Sequence, residues 1–155
     1  MKKVVFRRAT VADVPSLVAL RAAFLAEVAG SDPKAPSLLK ALTRYFSAGL
    51  SSGEFVAYLA TVGGQVVATS GMVYHHHPPR AANLNGSEAY VMNMYTLPPW
   101  RQQGIARALL KKLIIVARKN HCAQINLHAH PKAKPVYLRA GFVTRSDDMY
   151  LKLKG

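Results

Sequence analysis

The residues with the clearest chemical meaning form a short segment, 101–107, with the sequence R-Q-Q-G-I-A-R. A helical pattern begins there, and the first turn of a helix has unpaired backbone N–H groups and a partial positive charge, which favour a phosphate. Gly104 lets the backbone come close to a ligand, and Arg101 and Arg107 add charges that suit phosphate oxygens. The segment therefore predicts an anion site at a helix N-terminus. Its other expected contributors are Gln102, Gln103, Ile105 and Ala106.

Two common nucleotide sites are disfavoured by the same segment. It contains neither the G-x-G-x-x-G of a dinucleotide-binding turn nor the G-K-[ST] of a phosphate-binding loop. Taken without its context, a single R-x-x-G-x-A is equally compatible with an ordinary surface turn between a strand and a helix.

The histidines and the single cysteine suggest no metal site and no covalent chemistry. Consecutive residues of a strand point to opposite faces, which argues against a compact site of three histidines, so His75–His77 are expected to be a solvated loop or part of a binding pocket. His128 and His130 are two residues apart and face one side of a regular strand, but no third ligand is evident nearby. Cys122 cannot form an intrachain disulfide and is expected to pack rather than react.

The elements that position these residues give a mixed α/β order, β-αα-β-β-β-α-β-α-β, in one domain covering 1–155. Thr10 and Asp13 have the spacing of a capping box before the first helix, and Gly63-Gly64 indicates a hairpin turn. Apolar spacing predicts strands over 4–8, 54–62, 65–74, 88–96, 123–129 and 149–154 and helices over 11–28, 36–48, 104–119 and 132–140, with a loop over 75–86.

Three segments together resemble the GCN5-related N-acetyltransferases (GNATs). Arg101, Gly104 and Ala106 match that family's motif A, [Q/R]-x-x-G-x-[G/A], and 96–101 resembles the approach to it. Residues 133–142 resemble motif B, A-x-x-x-Y-x-x-x-G-F. The resemblance implies a mostly antiparallel twisted sheet whose fourth and fifth strands splay apart. It also implies acetyl-CoA as cosubstrate, with no metal.

The resemblance also implies roles for individual residues. The backbone of 94–96 (Met94, Tyr95 and Thr96) is expected to follow the pantetheine arm, with an N–H near Met94 polarising the thioester carbonyl. The amides of 102–106 are expected to hold the pyrophosphate, and Ala133 belongs to the cofactor side. His130 replaces the family's usual Asn, where it either hydrogen-bonds the cofactor, acts as a base or simply ends a strand.

The acid, the base and the acceptor pocket are less specified. Tyr137 occupies the family's general-acid position, the alternative being a packing tyrosine. Glu88 is a candidate base through water, the alternative being a solvated charge at a strand end. Alternation places Tyr90, Met92 and Met94 on one face and Asn93 and Tyr95 on the other, unless a bulge resets it. Asn93 and Tyr95 are either acceptor-pocket residues or ordinary polar packing.

The charge balance attracts anions but does not identify one. The chain has 21 Lys and Arg against 7 Asp and Glu, a net charge of +14. This suits a polyphosphate cofactor, a nucleic acid or solubility alone. The expected activity is acetyl transfer to the amine of a small molecule, an amino acid, a peptide N-terminus or a lysine. The alternatives are a non-catalytic acyl-CoA-binding module, acetylation of an aminoacyl-tRNA, or nucleic-acid binding. A cytoplasmic protein without a membrane span, and possibly a homodimer, is expected.

Overall fold

One five-stranded sheet organises the protein, and its strands lie in chain order. The computed structural model describes residues 3–145 and 147–154. The strands are β1 (Val4–Arg8), β2 (Phe55–Val62), β3 (Gln65–His76), β4 (Ser87–Thr96) and β5 (Ile125–Leu127). Neighbours from β1 to β4 pair antiparallel, whereas β4 and β5 pair parallel. The parallel pair is possible because a helical crossover separates these two strands.

Within the described residues, four helices cover the sheet: α1 (Val14–Ala29), α2 (Pro36–Ser52), α3 (Ile105–Lys119) and α4 (Lys134–Arg139). Short 3₁₀ turns precede α1 at Val11–Asp13 and α3 at Pro98–Trp100. Among the described residues, no helix has the length and apolar character needed to cross a membrane.

The start of α1 is fixed by a buried carboxylate. Asp13 accepts the backbone N–H of Thr10 at 2.8 Å, so the predicted capping contact is formed. It also binds the guanidinium of Arg7 with both oxygens, at 2.7 and 2.8 Å. The Arg7 guanidinium holds the pKa of the Asp13 carboxyl below its usual range. These bonds tie the first turn of α1 to β1.

Apolar side chains fill both faces of the sheet. On one face, Leu17 of α1 and Phe46 of α2 are buried against Phe55 and Leu59 of β2. On the other face, the second core cluster contains Leu110 and Leu113 of α3 and Tyr137 of α4, packed with strand residues. The sheet thus separates an α1/α2 side from an α3/α4 side.

A bulge in β4 changes which side chains face each side. The register of the β3–β4 pair shifts between Thr69 and Gly71, and Asn93 has φ of +56°, a left-handed conformation. Before the bulge, Met92 packs on the α1/α2 side; after it, Met94 packs on the α3/α4 side. The extra residue resets the alternation, as bulges do. Met92 and Met94 therefore lie on opposite faces, as expected for a strand whose alternation is reset by a bulge.

Strands β4 and β5 pair over three residues only and then diverge. The ladder joins Ala89–Val91 to Ile125–Leu127, and it does not continue along 92–96. An opening therefore lies beside the bulge, between the carboxyl ends of the two parallel strands. The predicted splay of the fourth and fifth strands is confirmed.

Two predicted segments have a different kind of structure from the one expected. The strand predicted over 149–154 is absent from the described part of this segment, where Met149, Leu151 and Leu153 are 95, 82 and 86% exposed. Apolar alternation supplies one face, but a strand also needs a hydrogen-bonded neighbour, and this segment has none. Conversely, β3 continues through His75 and His76, which pair with Glu88 and Ser87. Part of the predicted loop is therefore strand.

Candidate active site

The turn before α3 has the geometry of an anion site. Gln102 and Gly104 both have positive φ, +60° and +76°, and α3 begins at the next residue. The first N–H to bond back into α3 is that of Ala108, which donates to the Gly104 carbonyl at 3.0 Å. The N–H groups of 105–107 therefore have no acceptor within the helix. A Cβ built at Gly104 meets no atom within 4 Å, so the space above it is open.

These features fit a diphosphate. Left-handed residues in a turn direct neighbouring backbone N–H groups toward one concavity, and the helix dipole adds positive potential there. Arg107 is exposed and forms no ion pair with any described residue, so it can follow a bound anion. The predicted cofactor turn, 101–107, is therefore assembled as one continuous local structure.

Arg101 has a different arrangement from the one predicted. Its guanidinium binds the carboxylate of Glu27 in α1, at 2.7 and 2.8 Å, and its Nε donates to the Thr96 carbonyl at 2.9 Å. This pairing holds the pKa of Glu27 below its ordinary value. In this arrangement Arg101 joins the turn to α1, and Gly104 and the helix N–H groups are left to contact a phosphate.

Tyr95 belongs to the same ionic cluster. Its hydroxyl donates to Glu27 at 3.0 Å, and its ring lies 5.7 Å from the Phe24 ring and 5.5 Å from the Arg101 guanidinium carbon. Burial, and secondarily Glu27, raises the pKa of Tyr95. The side chain is thus directed to α1. Tyr95 could therefore contact a pantetheine arm only through its backbone atoms.

Tyr137 lies in the α3/α4 core beside the β4–β5 opening. It is buried, in the cluster against which Met94 and Leu127 also pack, and its ring meets Phe142 at 5.9 Å between centroids. Burial raises the pKa of its phenol. The hydroxyl is therefore protonated at neutral pH, and it makes no hydrogen bond to the residues described here. A protonated, uncommitted hydroxyl is suited to donate to a ligand.

Two further residues predicted for the cofactor side, His130 and Ala133, lie at the start of α4. Ala133 is half-buried against the Tyr137 cluster. The His130 carbonyl accepts the N–H groups of Ala133 and Lys134, at 2.8 and 3.1 Å. The exposed imidazole of His130 accepts the Lys132 N–H through Nδ1 at 3.3 Å. His130 therefore organises the start of α4, while His128 is exposed beyond β5.

Glu88 is buried and fully engaged. Its carboxylate accepts bonds from Arg80 at 3.2 Å, Gln124 at 3.2 Å and Asn126 at 3.0 Å. It lies six residues before Met94 along β4, which corresponds to about 20 Å at the rise of a strand. At that separation Glu88 can exchange a proton with an amine near Met94 only through intervening groups or water.

Histidines 75–77 lie near the Glu88 carboxylate. His75 stacks on Tyr90 with centroids 5.6 Å apart, and the His77 Nε2 lies 3.6 Å from a Glu88 oxygen. No group of three His, Cys, Asp or Glu side chains with a metal-binding arrangement occurs within 3–145 and 147–154. Cys122 is half-buried, with its sulfur 3.6 Å from the Ser87 hydroxyl.

A cavity on the α1/α2 side reaches the bulge of β4. It measures about 370 Å³ and is lined by residues of both helices and of β4, namely Arg21, Ala41, Leu42, Tyr45, Phe46, Met92 and Asn93. A wider cleft of about 720 Å³ adjoins it, sharing Ala41 and Tyr45 and extending to His75 and His76. The two spaces lie on the side of β4 opposite to Met94 and Tyr137. The bulge thus separates a candidate cofactor opening from a candidate acceptor cavity.

Sequence reasoning missed Arg21, Glu27 and Tyr45. Arg21 carried a signal, because it lies four residues after Leu17 and three before Phe24, within the apolar spacing of α1. A charged residue on such a stripe is a candidate for a binding role. Glu27 and Tyr45 carried no comparable signal, because their partners, Arg101 and Met92, are distant in sequence.

Comparisons with known proteins agree with this geometry. Residues 39–152 match the family model described as an acetyltransferase (GNAT) domain. A predicted acetyltransferase of Clostridium acetobutylicum, crystallised with acetyl-CoA, is 32% identical, covers 97% of both chains and superposes with a TM-score of 0.89. A GCN5-related N-acetyltransferase of Ralstonia eutropha is 21% identical over 99% of this chain and 100% of its own, with a TM-score of 0.87.

A more distant structure shows the same fold. Glucosamine-6-phosphate N-acetyltransferase of Arabidopsis thaliana is 15% identical, covers 99% of this chain and 100% of its own, and has a TM-score of 0.77. No curated protein is significantly similar in sequence to the chain. The family model and the acetyl-CoA-bound relative support acetyl transfer and a CoA-based cosubstrate. The chain therefore belongs to the GNAT family of acetyltransferases.

Proposed function

We propose that the protein transfers the acetyl group of acetyl-CoA to a primary amine by direct attack, with both substrates bound together. The observation that carries this proposal is the arrangement around the β4 bulge. The cofactor opening lies on one side of the strand and a cavity of about 370 Å³ on the other, so two substrates can meet at one backbone segment. Such positioning alone supplies a large part of a rate enhancement.

The roles of the cofactor side follow from backbone geometry. Acetyl-CoA supplies a thioester as the activated acyl group. The N–H groups at the start of α3 and the open space above Gly104 would hold its pyrophosphate, with Arg107 as a mobile counter-charge. The unpaired edge of 94–96 would bond the pantetheine amides, and an N–H near Met94 would polarise the thioester carbonyl.

The leaving sulfur needs a proton, and Tyr137 is the proposed acid that supplies it. As the amine nitrogen bonds to the acetyl carbon, the carbon–sulfur bond breaks and the sulfur leaves with the electron pair. Tyr137 gives its proton to that sulfur, since burial keeps the phenol protonated. The amine must lose a proton, and Glu88, on the acceptor side of β4, is proposed to receive it through water.

Thiol release with a panel of amines tests this function. We expect Tyr137→Phe to lower kcat by about 100-fold, the lower end of what general acid catalysis contributes. Tyr74→Phe is the matched control, because Tyr74 packs on the same cluster. Glu88→Gln should lower kcat with little change in KM for acetyl-CoA if Glu88 receives the proton of the amine.

The alternative is a non-catalytic acyl-CoA-binding module. Tight CoA binding without thiol release for any amine would support that alternative and exclude the enzyme. Equal rates for wild type and Tyr137→Phe would leave the enzyme but remove Tyr137 as its acid.

A further inference from the structure

The charge of Arg21 in the acceptor cavity has no partner. Arg21 is half-buried, and no carboxylate of the described residues lies within 4.0 Å of its guanidinium. Its guanidinium carbon lies 5.2 Å from the centroid of the Phe24 ring. Glu54 and Arg44 line the adjoining cleft, and no acidic residue lines the cavity itself. A partly desolvated cation is costly unless an anion accompanies it.

Asn93 contributes a second unsatisfied group to the same wall. Asn93 is only 5% exposed, and within the described part of the chain neither its amide nitrogen nor its amide oxygen has a hydrogen-bond partner. Asn93 lies at the bulge in a left-handed conformation and lines the same cavity as Arg21. Buried amides in folded proteins are nearly always bonded, so both atoms of Asn93 indicate a polar ligand.

The remaining walls are apolar. Ala41, Leu42 and Phe46 come from α2, and Met92 comes from β4. Tyr45 directs its hydroxyl to the Met92 sulfur at 3.6 Å. The cavity therefore combines one cation, one amide and an apolar surface, in a volume suited to a small molecule.

We propose that the acceptor is a small primary amine that also carries a carboxylate and an apolar body. This inference rests on the proposed function. The Arg21 guanidinium binds the carboxylate, for which its planar fork is matched. The Asn93 side-chain oxygen accepts from the amine, next to the Met94 backbone where the thioester carbonyl is held. A carboxylate suits the site better than a phosphate, since one guanidinium neutralises a monoanion and leaves no charge surplus in an apolar cavity.

Matched amines test the acceptor directly. An apolar amino acid such as leucine is compared with leucinamide and with isopentylamine, together with ω-amino carboxylic acids in which the carboxylate lies farther from the amine. For the preferred spacing, kcat/KM is expected to be at least tenfold higher for the carboxylate than for its carboxamide. This comparison uses only the wild-type protein.

The variant Arg21→Gln then tests whether Arg21 causes the preference for the carboxylate over the carboxamide. A charge-assisted hydrogen bond of this kind corresponds to roughly 10- to 100-fold in affinity. We expect that loss in kcat/KM for the carboxylate and a change within about twofold for the carboxamide. Arg118→Gln, on the exposed last turn of α3, removes the same unit of charge and should keep the wild-type preference.

Several outcomes would overturn the inference while leaving acetyl transfer intact. These are equal rates for carboxylate and carboxamide, an equal loss of both in Arg21→Gln, or a preference for aminoalkyl phosphates over amino carboxylates. Absence of thiol release with every amine would instead contradict the proposed function. If Arg21→Gln does not fold, Arg21→Lys keeps the charge without the fork and should retain only part of the preference.

Discussion

The candidate cofactor turn and the candidate acceptor cavity flank one strand but are built differently. The turn uses backbone N–H groups of consecutive residues and one glycine, all within 101–107. The cavity uses side chains from α1, α2 and β4, which are up to 72 residues apart between Arg21 and Asn93. A site made of backbone has a local sequence pattern, whereas a site made of distant side chains has none. The two sites should therefore respond separately to substitution.

The largest expected effect is on the cofactor side. Gly104→Val places a branched side chain in the left-handed region and fills the space now open above the turn. We expect kcat/KM for acetyl-CoA to fall by about 100-fold or more, since several charge-assisted hydrogen bonds are lost together. Steady-state kinetics with acetyl-CoA varied provides the measurement.

Gly64→Val is the matched control for that substitution. Gly64 has φ of +83° and equally open surroundings, but it lies in the β2–β3 hairpin. Both variants carry the same backbone strain, roughly 1–2 kcal/mol. A similar loss of acetyl-CoA affinity in both would mean that strain, and not a blocked phosphate site, is responsible.

An intermediate effect is expected from breaking the Arg7–Asp13 pair, which anchors the start of α1. The same helix carries Arg21. Because Arg7 lowers the pKa of Asp13 in the folded state, the stabilisation is present above the carboxyl's unfolded pKa of about 4. It is lost as pH falls through the folded-state value. Asp13→Asn should lower the free energy of unfolding by about 1–2 kcal/mol at pH 7, with a smaller difference near pH 3.

Urea unfolding at both pH values measures this difference, with the exposed Asp32→Asn as control. Asp13→Asn should also raise KM for the acceptor more than KM for acetyl-CoA. Equal changes in both constants would contradict the independence of the two sites.

The smallest effect concerns Asn93. Glycine keeps the left-handed conformation, and removal of two unpaired polar atoms offsets its backbone entropy cost of about 0.5–1 kcal/mol. Asn93→Gly should therefore leave Tm unchanged or slightly higher, while kcat/KM for the acceptor falls by about tenfold. Thermal unfolding and kinetics together test this.

Asn83 provides the contrast, because its buried amide donates to the Ser87 carbonyl at 3.2 Å. Asn83→Ala should lower Tm by a few degrees, since a satisfied bond is lost. A comparable fall in Asn93→Gly would indicate that the Asn93 amide is stabilising rather than available to a ligand.

The fold and the cofactor turn could be predicted because local chemistry determines both. Apolar periodicity gave β1 its observed bounds, and the glycine-containing turn lies where the pattern indicated. The position of the bulge was not predictable, because an extra residue depends on how β4 pairs with β3. The same holds for the Arg101–Glu27 pair, in which a residue predicted to bind phosphate instead bonds a carboxylate 74 positions away. Two residues that are this far apart in the chain produce no periodic pattern in the sequence when they pair.

The Arg101–Glu27 bond has a thermodynamic consequence. It ties the cofactor turn to α1, the helix whose Arg21 lines the acceptor cavity. A phosphate that draws Arg101 from Glu27 removes a constraint on that helix. If the acceptor's affinity then changes by some factor, linkage requires the acceptor to change the affinity for acetyl-CoA by the same factor. One exposed ion pair would thus couple two sites that are otherwise separate, and the sign of this coupling would decide whether each substrate favours or hinders the binding of the other.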